Sequence, residues 1–284
     1  METAEIPCVL CGLCGLIEVM IPHDYHMHSS FSCDGSSKPE KMCHQALKLG
    51  IPEIGFSEHW DVGPYETEPR FLQVESWFEE IERLRRLFSG KLIIRRGIEI
   101  SQPHLYQSET DEVLKRAPFD YVIGSVHFVG SHFMFDEEYF RQHDADKVYQ
   151  GYFEELLQLV TDADLDVVAH FDVPVRTSKP ILGYEPTRYE GLIRKVLERV
   201  ITRGLALDIN TAGLRKPVQN LMPDPLILSW YAEMGGKRVT LGSDAHEACQ
   251  VGMHLDKGLA AIQAAGIPYI TQFEQRQARP LPLE

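Results

Sequence analysis

Along this chain short apolar segments rich in Val, Ile and Leu recur between longer amphipathic stretches, and that alternation is what most narrows the fold. Segments at 22–26, 53–57, 92–99, 121–125, 167–170, 206–210 and 239–243 have the length and composition of buried strands. Stretches at 39–49, 74–88, 144–163, 185–203, 224–234 and 251–265 carry apolar residues three and four apart, as helices packed by one face do. Gly50, Gly204 and Gly266 stand just past three of them, where helices end on a left-handed residue. Repeated βα units build a parallel sheet. Seven of them favour a closed or nearly closed barrel; an open doubly wound sheet would give a similar string. No G-x-G-x-x-G or P-loop follows a strand, and no linker, low-complexity run or fixed-period repeat divides the chain.

The 284 residues are 44% hydrophobic and 25% charged, the balance of a globular chain with a sizeable core. Formal net charge is −14 and no run of Lys or Arg offsets it, so long nucleic acid and anionic membranes are poor partners. An anionic small molecule would need a locally positive site, which metal ions and a few arginines can create inside an acidic protein.

The opening METAEIPCVLCGLCGLIEVM carries Glu2 and Glu5 where a secretion signal carries Lys or Arg. Its apolar part, 6–20, is too short to span a bilayer and is broken by Gly and Pro. Residues 1–20 are read as an N-terminal extension, with Met20 an alternative start, and 21–284 as one domain. Cys8, Cys11 and Cys14 have C-x-x-C-x-x-C spacing, three ligands for a metal or cluster that would need a fourth; a frayed extension is the plainer reading. Cys33, Cys43 and Cys249 form no disulfide framework and suit reduced thiols in a cytoplasmic protein.

Residues able to ligate metals fall at or just beyond the strand ends, which in a parallel barrel form one face. The first strand ends in His26-Met27-His28, and strand alternation puts both imidazoles on one side. Asp34 follows closely. Later strands end in Glu58-His59, in Glu99, in a segment reaching His127, in His170, in Asp208-Ile209-Asn210, and in Asp244 with His246. A lone histidine at a strand end is ordinarily hydrogen-bonded or solvated. Recurrence at corresponding points of seven units has a common reason, a multinuclear metal site. His23, His44, His132, His143 and His254 show no such pattern, and His104 stands close enough after Glu99 to line a pocket.

The ordered set DYHMHSSFSCDG, GFSEHWD, RRGIEI, YVIGSVHF, VVAHFDVPVR, LDINTAGLRK and VTLGSDAHE resembles the polymerase and histidinol phosphatase (PHP) family. Its motifs run HxH with a following SxDG, then [DE]H, GxE, GSxH, H and SDAH. The resemblance covers nearly all of 21–255, and GSVHF, AHFD and NTAGLRK are most similar to the histidinol-phosphatase branch. It implies a distorted (β/α)7 TIM-like barrel of the α/β class holding three divalent ions, commonly zinc, iron or manganese. By position, His26, His28, Glu99 and Asp244 would bind the first ion, and Glu99 would bridge to a second held by His127 and His170. Asp34, His59 and His246 would bind the third.

Imidazoles and carboxylates suit borderline divalent cations, and a carboxylate shared by two ions holds them close enough to share one hydroxide. Because metal binding lowers the pKa of water from 15.7 to about 7, that hydroxide could attack phosphorus near neutral pH. Arg176 and Arg215, after the fifth and sixth strands, are the expected partners of the phosphoryl oxygens. Glu58 is the candidate acid for the alkoxide leaving group; supporting a ligand imidazole is its other reading. Asn210, Phe128 and Tyr106 are expected to line the pocket.

The activity implied is hydrolysis of a small phosphorylated metabolite, above all L-histidinol phosphate to L-histidinol and phosphate, in histidine biosynthesis. A phosphoesterase acting on nucleotides or other phosphate esters is the nearest rival. An amidohydrolase-like C–N hydrolase also uses HxH and a late Asp, but Glu99 does not match its usual bridging lysine. An interaction domain that has lost activity would lack ligands, and none is missing.

Overall fold

The computed structural model describes residues 20–283; the stretch before them, with Cys8, Cys11 and Cys14, lies outside the described residues. In chain order the strands are β1 (Glu53–Trp60), β2 (Ile93–Ser101), β3 (Tyr121–Ser125), β4 (Phe128–Val129), β5 (His132–Phe133), β6 (Val167–Val168), β7 (Ala206–Asn210), β8 (Val239–Gly242), β9 (Tyr269–Glu274) and β10 (Gln277–Pro282). The α-helices are α1 (Pro39–Lys48), α2 (Val74–Leu87), α3 (Gln107–Leu114), α4 (Glu137–Gln142), α5 (Ala145–Asp162), α6 (Val175–Leu182), α7 (Glu190–Arg203), α8 (Pro225–Glu233) and α9 (Leu255–Ala264).

β1, β2, β3, β6, β7 and β8 form one parallel sheet in that order, the order of the chain, so each crossover moves to the next neighbour and the sheet curls. The segment 23–28 fills the gap between its edges. Tyr25 N donates to Leu241 O (2.8 Å) and His28 N to Ala245 O (2.7 Å) on the β8 side. On the β1 side Gly55 N donates to Asp24 O (2.8 Å) and Ser57 N to Met27 O (2.9 Å). The strand expected at 22–26 thus takes the seventh place in a distorted α/β barrel, but through isolated bridges rather than a regular ladder. β6 stops at Val168 instead of reaching His170, because the chain turns there, with Val173 N donating to His170 O (2.8 Å).

The helices bury the faces their periodicity foretells: Val74, Trp77, Ile81 and Leu84 on α2, and Ile193, Val196, Leu197 and Val200 on α7. Gly50, Gly204 and Gly266 all have positive φ, as helix-ending glycines should. α3, α4 and α6 are additions to the expected set; they are short, and α6 contains Pro180, so none carries a long apolar period. The antiparallel hairpin β9–β10 is also unforeseen, since β9 buries only Ile270, Thr271 and Phe273, with no regular alternation, and β10 carries Pro280 and Pro282.

Inside the barrel the Tyr121 ring lies across β1 and β2. A β-carbon at Gly55 would stand 2.0 Å from Tyr121 Oη, and one at Gly97 2.3 Å from Tyr121 Cζ, so both positions require glycine. Among the described residues no helix is long and apolar enough to cross a membrane.

Candidate metal centre

Glu99 sits at the centre of the rim, fully buried near the end of β2. Its two oxygens face different imidazoles. Oε2 lies 2.9 Å from His26 Nε2, 3.3 Å from His28 Nε2 and 3.6 Å from His59 Nδ1. Oε1 lies 3.2 Å from His170 Nε2 and 3.5 Å from His127 Nε2. Asp244 Oδ1 lies 3.5 Å from His28 Nε2 and 3.9 Å from His26 Nε2. At the outer edge Asp34 Oδ2 is 2.9 Å from His246 Nε2 and 3.7 Å from His59 Nε2. All nine ligands expected from the sequence therefore come together, from five separate strand ends and the closing segment.

Several ligand sets are compact enough for one cation. The donor atoms of His26, His28 and Asp244 lie within 4.8 Å of one another, as do those of His26, Glu99 and His170, and of His28, His59 and His246. His59, Asp61 and His127 make a further such group, and Asp61 was not among the expected ligands. The signal for it was present: two residues past His59, strand alternation places it on the same side.

The electrostatics of this cluster are those of a cation site. Burial disfavours the charged form of Glu99, but the adjoining His26 and His59 and hydrogen bonds to His127 and His170 hold its carboxyl well below the usual range. Asp244 is held low against burial in the same way, by His26 and His28. Burial and the neighbouring His28 push His59 down to about 3, whereas Asp244 and Glu99 outweigh burial at His28 and raise it to about 10. His28 Nε2, His59 Nδ1 and His170 Nδ1 are buried and make no hydrogen bond. Buried charges persist only when paired or bound to metal, and imidazoles with carboxylates are the donor set that zinc, iron and manganese accept. The residues fit divalent ions.

Behind the ligands stands a group that sequence reading did not assign. Asp208, 1% exposed, accepts from His26 Nδ1 (2.8 Å) and from Asn210 Nδ2 (3.1 Å). A carboxylate on the far nitrogen fixes the tautomer, so that Nε2 is the nitrogen His26 turns to the rim. Gly242 makes this arrangement possible: a β-carbon there would lie 2.3 Å from His26 Cβ and 2.6 Å from Asp208 Oδ1. Backbone strain concentrates beside it, with Asp244 at φ +53.

A cleft of about 300 Å³ opens over the ligands, lined also by Asp61, Glu66, Phe133, Phe135 and Arg176. Arg176 sets its guanidinium carbon over the Phe135 ring (4.4 Å to the centroid) with Nη1 3.7 Å from Asp244 Oδ2, on the face the sequence indicated. Arg215 sits beside it but acts on backbone, donating from Nη2 to Asp244 O (3.0 Å) while Nη1 is buried without a partner.

Glu58 departs from the expectation of a general acid. Its carboxylate is fully buried away from the cleft and accepts from Ser29 N (2.9 Å), Ser29 Oγ (2.5 Å) and Ser32 Oγ (2.6 Å). Adjacent strand residues point to opposite faces, so a residue beside His59 cannot share its site. Glu58 holds the turn after His28, where Ser32 Oγ also lies 3.4 Å from His28 Nδ1. Asn210 is buried beneath His26, and neither Phe128 nor Tyr106 lines the cleft.

A family model described as the PHP domain matches residues 24–212. A histidinol-phosphatase of Lactococcus lactis subsp. lactis (strain IL1403) is 30% identical over 257 residues, 88% of this chain and 93% of the relative. One from Bacillus subtilis (strain 168) is 29% identical over 263 residues, 82% of this chain and 96% of the relative. The crystal structure of histidinol phosphate phosphatase from L. lactis, complexed with Zn, L-histidinol and phosphate, aligns with a TM-score of 0.84 at 27% identity, covering 92% of this chain and 99% of that one.

Proposed function

This chain belongs to the PHP domain family, and on that premise we propose that it is a metal-dependent histidinol-phosphatase, hydrolysing L-histidinol phosphate to L-histidinol and phosphate. The observation that carries the reading is Glu99, each of whose oxygens faces its own set of imidazoles, as a carboxylate shared by two cations must. The choice of substrate is supported by the L. lactis relative, whose structure holds Zn, L-histidinol and phosphate.

In this reading His26, His28, Asp244 and Glu99 would hold one ion, and Glu99 with His127 and His170 a second. Asp34, His59 and His246 would hold a third, and zinc is the first candidate for all of them. Divalent cations so bound supply Lewis acidity, drawing charge from phosphoryl oxygens and making water acidic enough to ionise near neutral pH. The protein's own part is orientation and charge. Asp208 fixes the His26 ring, and Glu58 fixes the turn bearing Ser29 and Ser32. Arg176, braced on Phe135, offers a guanidinium to the equatorial oxygens without reordering during the reaction. Arg215, which stands outside the cleft lining, fixes the strained Asp244 loop through its bond to Asp244 O.

The test is phosphate release from L-histidinol phosphate, p-nitrophenyl phosphate, nucleoside monophosphates and an amide substrate, before and after chelation. The proposal expects a clear preference for histidinol phosphate, abolished by the chelator and restored by zinc or manganese. Preference for a nucleotide, or turnover that survives complete metal removal, would contradict it.

A further inference from the structure

The proposed substrate is more than an anion. L-Histidinol phosphate bears an ammonium group on the carbon next to its phosphoester carbon, so a site that holds the phosphate must meet a positive charge close by. Its imidazole is largely neutral above pH about 6.5, which leaves the ammonium as the charge a carboxylate can select.

The cleft supplies one uncommitted carboxylate. Asp244 is shared among His26, His28, His246 and Arg176, and Asp34 lies against His246 and His59. Asp61 accepts from Ser101 N (3.2 Å) and lies 3.8 Å from His59 Nδ1. Glu66 differs from all three. It lines the same cleft, half-buried, and among the described residues it forms no ion pair. An ordered turn presents it: Glu66 N donates to Gly63 O (3.2 Å), and Arg70 N closes the loop on Asp61 O (2.8 Å). Partial burial of an unpaired carboxylate costs free energy unless a cation arrives from outside, and Glu66 shares its cleft with Arg176 and the ligand set.

Resting on the histidinol-phosphatase reading above, we infer that Glu66 receives the substrate's ammonium group and so selects amino-alcohol phosphate esters over esters lacking the amine. The cleft is then polarised along the substrate, with cations and Arg176 for the phosphate and Glu66 for the amine. A charge-assisted hydrogen bond of this kind corresponds to roughly ten- to hundredfold in kcat/KM.

The experiment compares L-histidinol phosphate with 3-(imidazol-4-yl)propyl phosphate, the same ester without the amine, on the metal-loaded full chain and its Glu66→Gln and Glu66→Asp variants. The wild type should prefer the amino ester by about tenfold or more. Glu66→Gln should lose most of that preference, chiefly through KM, with bound metal unchanged by elemental analysis; Glu66→Asp should recover part of it. Equal slowing of both esters, a preserved preference, or loss of metal from Glu66→Gln would overturn the inference while leaving the phosphatase reading intact. A wild type that hydrolyses other esters but not histidinol phosphate would sink that reading, and the inference with it.

Discussion

The two ends of the barrel treat buried charge in opposite ways. At the end where the strands begin, Glu53 is 2% exposed and receives Tyr25 Oη, Arg95 Nε (2.7 Å) and Gln272 Nε2 (2.8 Å). Asp120 accepts from Arg96 N (3.0 Å) and Gln275 N (3.1 Å), and Asp166 from Arg276 Nε (2.8 Å) and Val122 N (2.9 Å). At the end where the strands finish, Glu99 is buried just as deeply, yet its neighbours are imidazoles, several with nitrogens that bond to nothing. This chain can neutralise buried carboxylates with its own arginines. At Glu99 it offers imidazoles instead, the donor set that divalent cations accept.

Substitutions at the two ends should therefore differ in kind. The largest effect belongs to Glu99→Gln, which should cut phosphate release by more than the roughly 10–100-fold typical of outer-shell changes and should also reduce bound metal. Retained metal with near-normal turnover would break the contrast. Next comes Arg176→Ala, expected to lower kcat by about 10²–10³ while elemental analysis finds the metal still in place. Asp208→Asn should weaken metal affinity by about 10–100-fold in chelator competition, with turnover rescued by excess metal; unchanged affinity would reduce Asp208 to a packing group.

At the other end Arg95→Met should cost about 3 kcal/mol in urea unfolding, because Glu53 is left buried without its cation, yet leave kcat within about twofold of wild type. The smallest effect is in pH. Burial pushes the Asp120 carboxyl up, but Arg96 and two backbone N–H groups more than offset this and leave it below its ordinary value. A depressed folded-state pKa gives stability that is present above about pH 4 and lost on acidification. Thermal midpoints of Asp120→Asn should accordingly fall less steeply with acid than those of wild type.

How much of this was legible in the sequence follows from which signals are local. That His26 and His28 turn to the same side was legible because period-two alternation alone places both on one face. Of the two readings of Glu58, the acid rested on adjacency to His59, whereas that same alternation turns it away from the cleft onto Ser29 and Ser32. Asp208 stood in view on its strand, but ligand and second-layer carboxylates look alike until His26 Nδ1 is found 2.8 Å away. Glu66 lies in a loop with no periodicity, so only the tertiary path that brings 61–67 over the rim reveals it. The barrel was readable from its apolar runs. The β9–β10 hairpin was not, since a half-buried edge pair carries a weaker pattern.

The most direct test of the central contrast is elemental analysis of the purified chain beside its phosphatase activity. The account predicts close to three divalent ions per chain, removed by chelator together with histidinol phosphate hydrolysis and restored together on adding metal back. A chain that binds no divalent ion, or one stripped of metal and still fully active, would contradict it.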